Sequence, residues 1–511
     1  MLSKLYSATI FGVDAFIVEV EVDIRPGLPL FNIVGLPDTA VQESRERVRS
    51  AIKNSEFEFP MQRITVNLAP ADIKKEGPVF DLPIALGILA ANGQIKSNLL
   101  DKLLIIGELS LDGRIKPVNG VLPIALMVKN LGKKKLLLPQ TNAKEAGIIK
   151  QLEVFPVDSL YEVVEFLNGK ISIEPVFVNT KDIFTKSNDN QIDFTEVKGQ
   201  EHAKRALEIA AAGSHNVIMI GPPGSGKTML ARRLPTILPS LTLEESIEIT
   251  KLHSIANLLP PDTPLITDRP FRAPHHTISN SGLIGGGRIP KPGEISLSHN
   301  GVLFLDELPE FSRRALESLR QPLEDGIVTI SRSLSSVTYT SSFMLVASLN
   351  PCPCGFFGDP VKTCTCSSSQ IIKYRSKISG PLLDRIDIHI EVPRVNCREV
   401  MEKNSIENSC TIRKRVERAR IIQRERFSED NIFCNAQMSK KKIEKYCQID
   451  YNCKNLLYKA IEKLNLSTRA FDRILKVART IADLEQSENI EISHLSEAIQ
   501  YRSLDRKLWL Y

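Results

Sequence analysis

The run GPPGSGKT, Gly221–Thr228, holds the residues best suited to chemistry in this chain. It matches the template G-x-x-x-x-G-K-[ST] at every fixed position. Its glycines let the backbone wrap tightly and aim several N–H groups at one anion. The helix expected to follow adds a positive dipole end. On this reading Gly221, Pro222, Pro223, Gly224, Ser225 and Gly226 form a phosphate cradle. Lys227 reaches the β- and γ-phosphates of a nucleoside triphosphate, and Thr228 holds magnesium. A second run, GVLFLDE (Gly301–Glu307), ends an apolar strand in two carboxylates. Asp306 is placed to bind the magnesium and Glu307 to orient and deprotonate the attacking water. A third apolar stretch, 343–349, ends at Asn350. If that strand lies between the other two, the Asn350 amide stands beside the water. The alternative is an ordinary Asn-Pro turn with Pro351.

Two arginines and four cysteines complete the set. Arg385, in LLDRIDIHIEV, can pair with Asp384 or Asp387. It can instead reach a neighbouring subunit and stabilise the transferring phosphoryl group, a contact worth about 10³ to 10⁵ in rate. Arg469 falls in the first turn of a helix, after the candidate caps Ser467 and Thr468. A cation there opposes the helix dipole unless an anion such as a γ-phosphate is near; a solvated surface position is the alternative. Cys352, Cys354, Cys364 and Cys366 form C-x-C-x₉-C-x-C just after Asn350. Four thiolates in that span suit tetrahedral zinc, with a reduced, metal-free cluster as the alternative.

These groups need a scaffold, and the composition supplies one. Apolar residues make up 42% and charged residues 25%, which suits a soluble globular chain of about three domains. The net charge of +6 is compatible with nucleic acid. No apolar run is long enough to span a membrane, and the first residues alternate as a strand rather than forming a secretion signal. Nine cysteines without such a signal read as cytoplasmic, reduced thiols. Segments 63–67 and 103–106 read as strands, and 81–92 and 121–129 as helices with an early proline. The expected division is 1–168, a polar linker 169–195 containing KSNDNQ, a strand–helix alternating nucleotide-binding core 196–395, and a helical region 396–511. In that last region Thr411–Arg426 carries seven Lys or Arg, which suits DNA or simply a wet face. The apolar stripe of 468–485 predicts an amphipathic helix.

The motifs together resemble an AAA+ ATPase of the magnesium-chelatase-related ComM/YifB family. The resemblance is carried by FTEVKGQEHAKRALEIAAAGSHN (194–216), the run 270–311, LRQPLEDGIVTISR (319–332) and SLNPCPCGFFGD (348–359). It implies that Val197, Gly199 and Gln200 lie near the adenine, that Asn350 is sensor 1, Arg385 the arginine finger and Arg469 sensor 2. It also implies a homohexameric ring with ATP at the subunit interfaces, and a DNA helicase or branch-migration motor acting in natural transformation. Insertions at about 272–298 and 326–340, the second alternating as a hairpin, would then face DNA in the pore through Arg288, Lys291 and Arg332. His275 and His276, adjacent in a strand, would face opposite sides and be structural. Residues 74–93 and 107–129 resemble the proteolytic domain of Lon proteases, with a ribosomal-protein-like α/β fold. Val79 and Leu122 stand where its Ser and Lys would be, so no peptidase activity is expected. The fold expected is therefore α/β throughout: a degenerate Lon-protease-like domain, an AAA+ parallel-sheet phosphate-loop domain and a C-terminal helical lid. The alternative function is a chelatase-type motor subunit remodelling a protein partner. It is disfavoured because such subunits are expected to lack the N-terminal domain.

Overall fold

A computed structural model describes residues 1–185, 192–260, 263–287, 290–332, 335–394, 407–430, 432–464 and 467–504. KSNDNQ (186–191) lies outside the described residues, as does Arg288, and the Arg332 side chain is likewise not described. The chain divides into two compact units, 1–187 with 246–267, and 188–245 with 268–511. Residues 246–267, inside the expected 196–395 core, thus cluster with the first unit. Among the described residues no helix is long and apolar enough to cross a membrane.

The first unit is built on a seven-stranded mixed sheet, ordered Leu30–Val34, Arg63–Ala69, Asp14–Arg25, Leu2–Phe11, Leu103–Ile105, Lys135–Pro139, Glu153–Val157. Asp14–Arg25 alternates because its Val18, Val20, Val22 and Ile24 face the core. The helix Asp81–Ala91 is buried almost all round. Its Gly87 lets it lie on the sheet, since a Cβ there would fall 2.6 Å from Val22 Cγ2. Leu122 is buried and its N–H donates to Glu145 at 3.0 Å, while Val79 sits in the 3₁₀ turn Pro78–Phe80.

The second unit carries a five-stranded parallel sheet in the order Phe271–Arg272, Val302–Leu305, Met344–Leu349, Val217–Ile220, Ile388–Glu391. The phosphate-loop, acidic and Asn350-bearing strands are buried along their whole length. That is why they read as continuous apolar runs rather than alternating ones. The helix after the phosphate loop, expected over 229–238, spans Lys227–Arg233 and continues as a 3₁₀ turn, Leu234–Ile237. Pro235 has no N–H to extend the α pattern. The helical region contains Ser409–Arg426 and Thr468–Leu484, whose Ile474, Leu475, Ala478 and Ile481 enter the core.

A buried polar pin joins this helical region to the sheet. Asp387 accepts from Arg473 Nη1 (2.6 Å) and from the Asn216 N–H (3.2 Å), and lies 3.2 Å from His215 Nδ1. Asn216 also donates to Arg385 O (3.0 Å) and accepts from Leu345 N (2.8 Å), so the start of the phosphate-loop strand is tied to both neighbouring strands' approaches. Burial works against the Asp387 carboxylate, yet Arg473 and His215 hold its pKa far below the usual range. Its ionised form is therefore stabilising above the ordinary carboxylate pKa, and that contribution is lost as pH falls. Asp387→Ala leaves Arg473 and His215 without their buried partner and should cost about 3–5 kcal/mol. Scanning fluorimetry at neutral pH should show melting lowered by roughly 5–10 °C; an unchanged transition contradicts the role given to the pin.

Candidate active site

The strand order decides the chemistry. Met344–Leu349 lies between Val217–Ile220 and Val302–Leu305, in register on both sides. Three loops leave the same edge of the sheet, and their side chains meet there. Thr228 Oγ1 donates to Asp306 Oδ2 at 2.7 Å. Asp306 Oδ1 accepts from Ser348 Oγ and from the Glu307 N–H (3.0 Å). Lys227 Nζ donates to the carbonyls of Gly221 (2.7 Å) and Pro222 (2.9 Å), and to Asn350 Oδ1 at 3.3 Å. Burial pushes the Lys227 ammonium down to about 8, against the opposing pull of Asp306 and Glu307.

The loop needs its glycines. Gly224 (φ 77°) and Gly226 (φ 93°) hold left-handed backbone, and a Cβ on Gly221 would lie 2.1 Å from Val392 O. Gln200, itself left-handed (φ 57°), donates its amide to Ser225 O and to Pro393 O (3.2 Å). Its Oε1 is buried with no hydrogen-bond partner among the described residues, an acceptor that a ligand donor would satisfy. Gly199 (φ 65°) and buried Val197 precede it. Glu307 also has positive φ (53°) and is exposed. For a non-glycine residue such backbone costs of order 1 kcal/mol.

The arginines take up different places. Arg469 is exposed in the first turn of its helix, where Ser467 caps the Ala470 N–H. Arg385 is buried, and its partner is neither Asp384 nor Asp387 but Glu324, 61 residues away, with a second bond to Pro381 O (2.8 Å). Its Nε is buried without a partner among the described residues. Burial, and then the charges of Arg469, Arg320 and Arg473, lower its pKa.

Two sequence expectations are corrected. His275 and His276 do not face opposite sides, because they lie beyond the strand Phe271–Arg272 in a turn. Their rings are 4.1 Å apart, and His276 Nδ1 is 3.7 Å from Glu307 Oε2. Most cations of the basic helix are not open to DNA, because they have partners within the second unit. Arg413 pairs with Glu417, Arg415 with Glu208 and Glu407, Arg424 with Glu245 and Arg426 with Asp483, while Arg420 bonds Ala211 O. The hairpin over 326–340 does form, as Ile327–Arg332 against Ser335–Thr340, and Lys291 is exposed in a short paired strand.

Sequence reasoning missed Ser348, Glu324 and Arg473. Only Ser348 left a local signal: a lone hydroxyl in an apolar strand, two residues before Asn350.

The four cysteines converge. Their sulfurs all lie within 4.8 Å of one another, with Cys352 to Cys354 at 3.3 Å, Cys354 to Cys364 at 3.5 Å and Cys352 to Cys364 at 3.6 Å. None is in a disulfide. The cluster could hold a metal ion.

Comparison with known proteins agrees with this architecture. Residues 193–400 match a family described as magnesium chelatase, subunit ChlI; 20–142 match subunit ChlI of Mg-chelatase; and 406–502 match the subunit ChlI C-terminal family. The chain is 45% identical to the competence protein ComM of Haemophilus influenzae, over 99% of this chain and 98% of that one. It is 43% identical to YifB of Escherichia coli over 99% and 98%. Similarity to the magnesium-chelatase 67 kDa subunit of Chlorobaculum parvum is 28%, over 31% of this chain and 23% of that one.

The lowered Lys227 pKa gives a signed prediction. A bound polyphosphate raises it again, so binding above pH 8 must take up a proton. Affinity for a fluorescent ATP analogue should hold constant below pH 8 and fall by up to about tenfold per pH unit above it. Lys227→Ala should bind weakly and without that slope; a wild-type slope retained in the variant contradicts the assignment.

Proposed function

Because the chain belongs to the ComM/YifB family of magnesium-chelatase-related AAA+ ATPases, we propose that it is an ATP-driven motor acting on DNA as a homohexameric ring, of the helicase or branch-migration kind. One observation carries the ATPase part: Thr228 bonded to Asp306, and Lys227 to Asn350, across adjacent parallel strands. A hydroxyl and a carboxylate are a donor set suited to a hard divalent ion, and the glycine-lined helix start fits a polyphosphate. Thr228 and Asp306 would hold magnesium, which when bound would neutralise phosphate charge.

The chain's own groups do the rest. Lys227 exchanges the Gly221 and Pro222 carbonyls for phosphate oxygens, while Gly221–Gly226 present backbone N–H groups. Glu307 orients the attacking water and accepts its proton, and Asn350 holds that water by its amide. Arg469 and a neighbouring subunit's arginine at the Arg385 position offset charge on the γ-phosphoryl group. Val197, Gly199 and Gln200 border the adenine.

For DNA, the support is the whole-length similarity to a competence protein, the positive net charge and the insertion cation Lys291. The chelatase reading cannot be set aside for want of an N-terminal counterpart, since residues 20–142 match a ChlI family. It is disfavoured because the similarity to the Chlorobaculum chelatase subunit covers under a third of the chain.

Single-stranded or forked DNA should raise the ATP hydrolysis rate at low salt. The stimulation should collapse steeply as salt rises, because phosphate contacts release counterions. A rate indifferent to DNA at every ionic strength, with the ATPase intact, contradicts the DNA reading and favours a protein-remodelling role.

A further inference from the structure

We propose that Cys352, Cys354, Cys364 and Cys366 bind one zinc-class divalent ion, and that this site is a clamp positioning both Asn350 and the phosphate loop. The ligand geometry comes first. Tetrahedral zinc with bonds near 2.3 Å sets its sulfurs about 3.8 Å apart. The separations of 3.3, 3.5 and 3.6 Å, with all four sulfurs inside 4.8 Å, match one ion. They leave no room for the multi-iron core of an iron–sulfur cluster, whose cysteines surround several irons. All four donors are soft sulfurs, the set that structural zinc takes in its closed sites. The backbone is arranged for thiolates as well. The Cys354 N–H points to Cys366 Sγ at 3.4 Å and the Phe357 N–H to Cys352 Sγ at 3.3 Å.

The position of the cluster gives it a consequence. Cys352 follows Asn350 by two residues, and Asn350 Oδ1 accepts from Lys227. Arg375 fixes the residue between them, donating to Pro351 O from Nε and Nη2, both at 3.1 Å, and lying 5.1 Å from the Phe357 ring. On the other side Gly355, inside the cysteine loop, packs on Pro223. A Cβ there would stand 2.5 Å from Pro223 Cδ. The cysteine loop therefore touches the phosphate loop and the Asn350 turn at once. Holding four sulfurs on one ion fixes Cys352 and Gly355 together, and through them the spacing between Asn350 and the cradle. Without the ion, a loop of fifteen residues spanning Cys352–Cys366 has only weak S–H contacts at its centre.

The metal half of this inference is independent of the function proposed above, whereas the clamp half rests on the ATPase reading. The test takes the full-length protein, purified without added metal. Elemental analysis should find about one zinc per chain in the wild type and under about a tenth in a Cys364→Ser/Cys366→Ser variant. In that variant the maximal ATP hydrolysis rate should fall about tenfold or more, while affinity for a fluorescent ATP analogue stays within about fivefold, because the cradle keeps Lys227 and its own N–H groups and loses only its fixed spacing from Asn350. To guard against misfolding of the variant, zinc is stripped from the wild type with a reversible thiol reagent and chelator. Hydrolysis should fall and return when zinc alone is restored after thiol reduction. Wild-type protein without zinc, or with iron in its place, overturns the site. A zinc-free protein hydrolysing at the full rate overturns the clamp. Stoichiometric zinc in a protein that never hydrolyses ATP supports the site and rejects the ATPase reading.

Discussion

The second unit turns on how one carboxylate divides its two oxygens. Asp306 Oδ2 takes the Thr228 hydroxyl, and Oδ1 takes the Ser348 hydroxyl and the Glu307 N–H. Those donors belong to the phosphate-loop helix, the middle strand and the acidic loop. The three donors are far apart in sequence, and only Glu307 adjoins Asp306. The carboxylate can collect them only because the middle strand runs parallel between the other two, in register with each. A slip of one residue would turn Ser348 to the opposite face of the sheet and remove the link.

Around that carboxylate the site is held poised rather than relaxed. Lys227 is buried on the carbonyls of its own loop, Glu307 holds left-handed backbone, and Arg385 is tied to Glu324 with one guanidinium N–H unsatisfied among the described residues. Each is a local cost that a compact, well-packed surrounding can sustain. The surrounding here is the apolar core of the parallel sheet together with the Asp387 pin, which locks the helical region onto the strand that launches the phosphate loop.

What was legible from sequence was what is local or periodic. Gly221–Thr228 and Gly301–Glu307 announce themselves because their chemistry needs fixed spacing within one turn or one strand end. The hairpin over 326–340 and the helix over 468–484 follow from alternation and from a 3.6-residue stripe. The strand order was framed as a condition, and the structure meets it. The illegible features are tertiary. Nothing near Arg385 in the chain points to Glu324, and nothing in a run of arginines reveals that Arg415, Arg420 and Arg426 answer acids and carbonyls elsewhere in the unit. The histidine pair misleads because it lies three and four residues beyond the strand's end at Arg272. Adjacent residues share a side only once the pleat ends.

The central claim is that hydrolysis of a triphosphate held by the Lys227 loop depends on the Glu307 carboxylate. Glu307→Gln keeps the shape and removes only the proton acceptor. Its ATP turnover, measured beside its equilibrium affinity for ATP, tests the claim most directly. The account predicts hydrolysis lowered by about 10² or more with affinity held or tightened. A variant that still turns over ATP at the wild-type rate contradicts it.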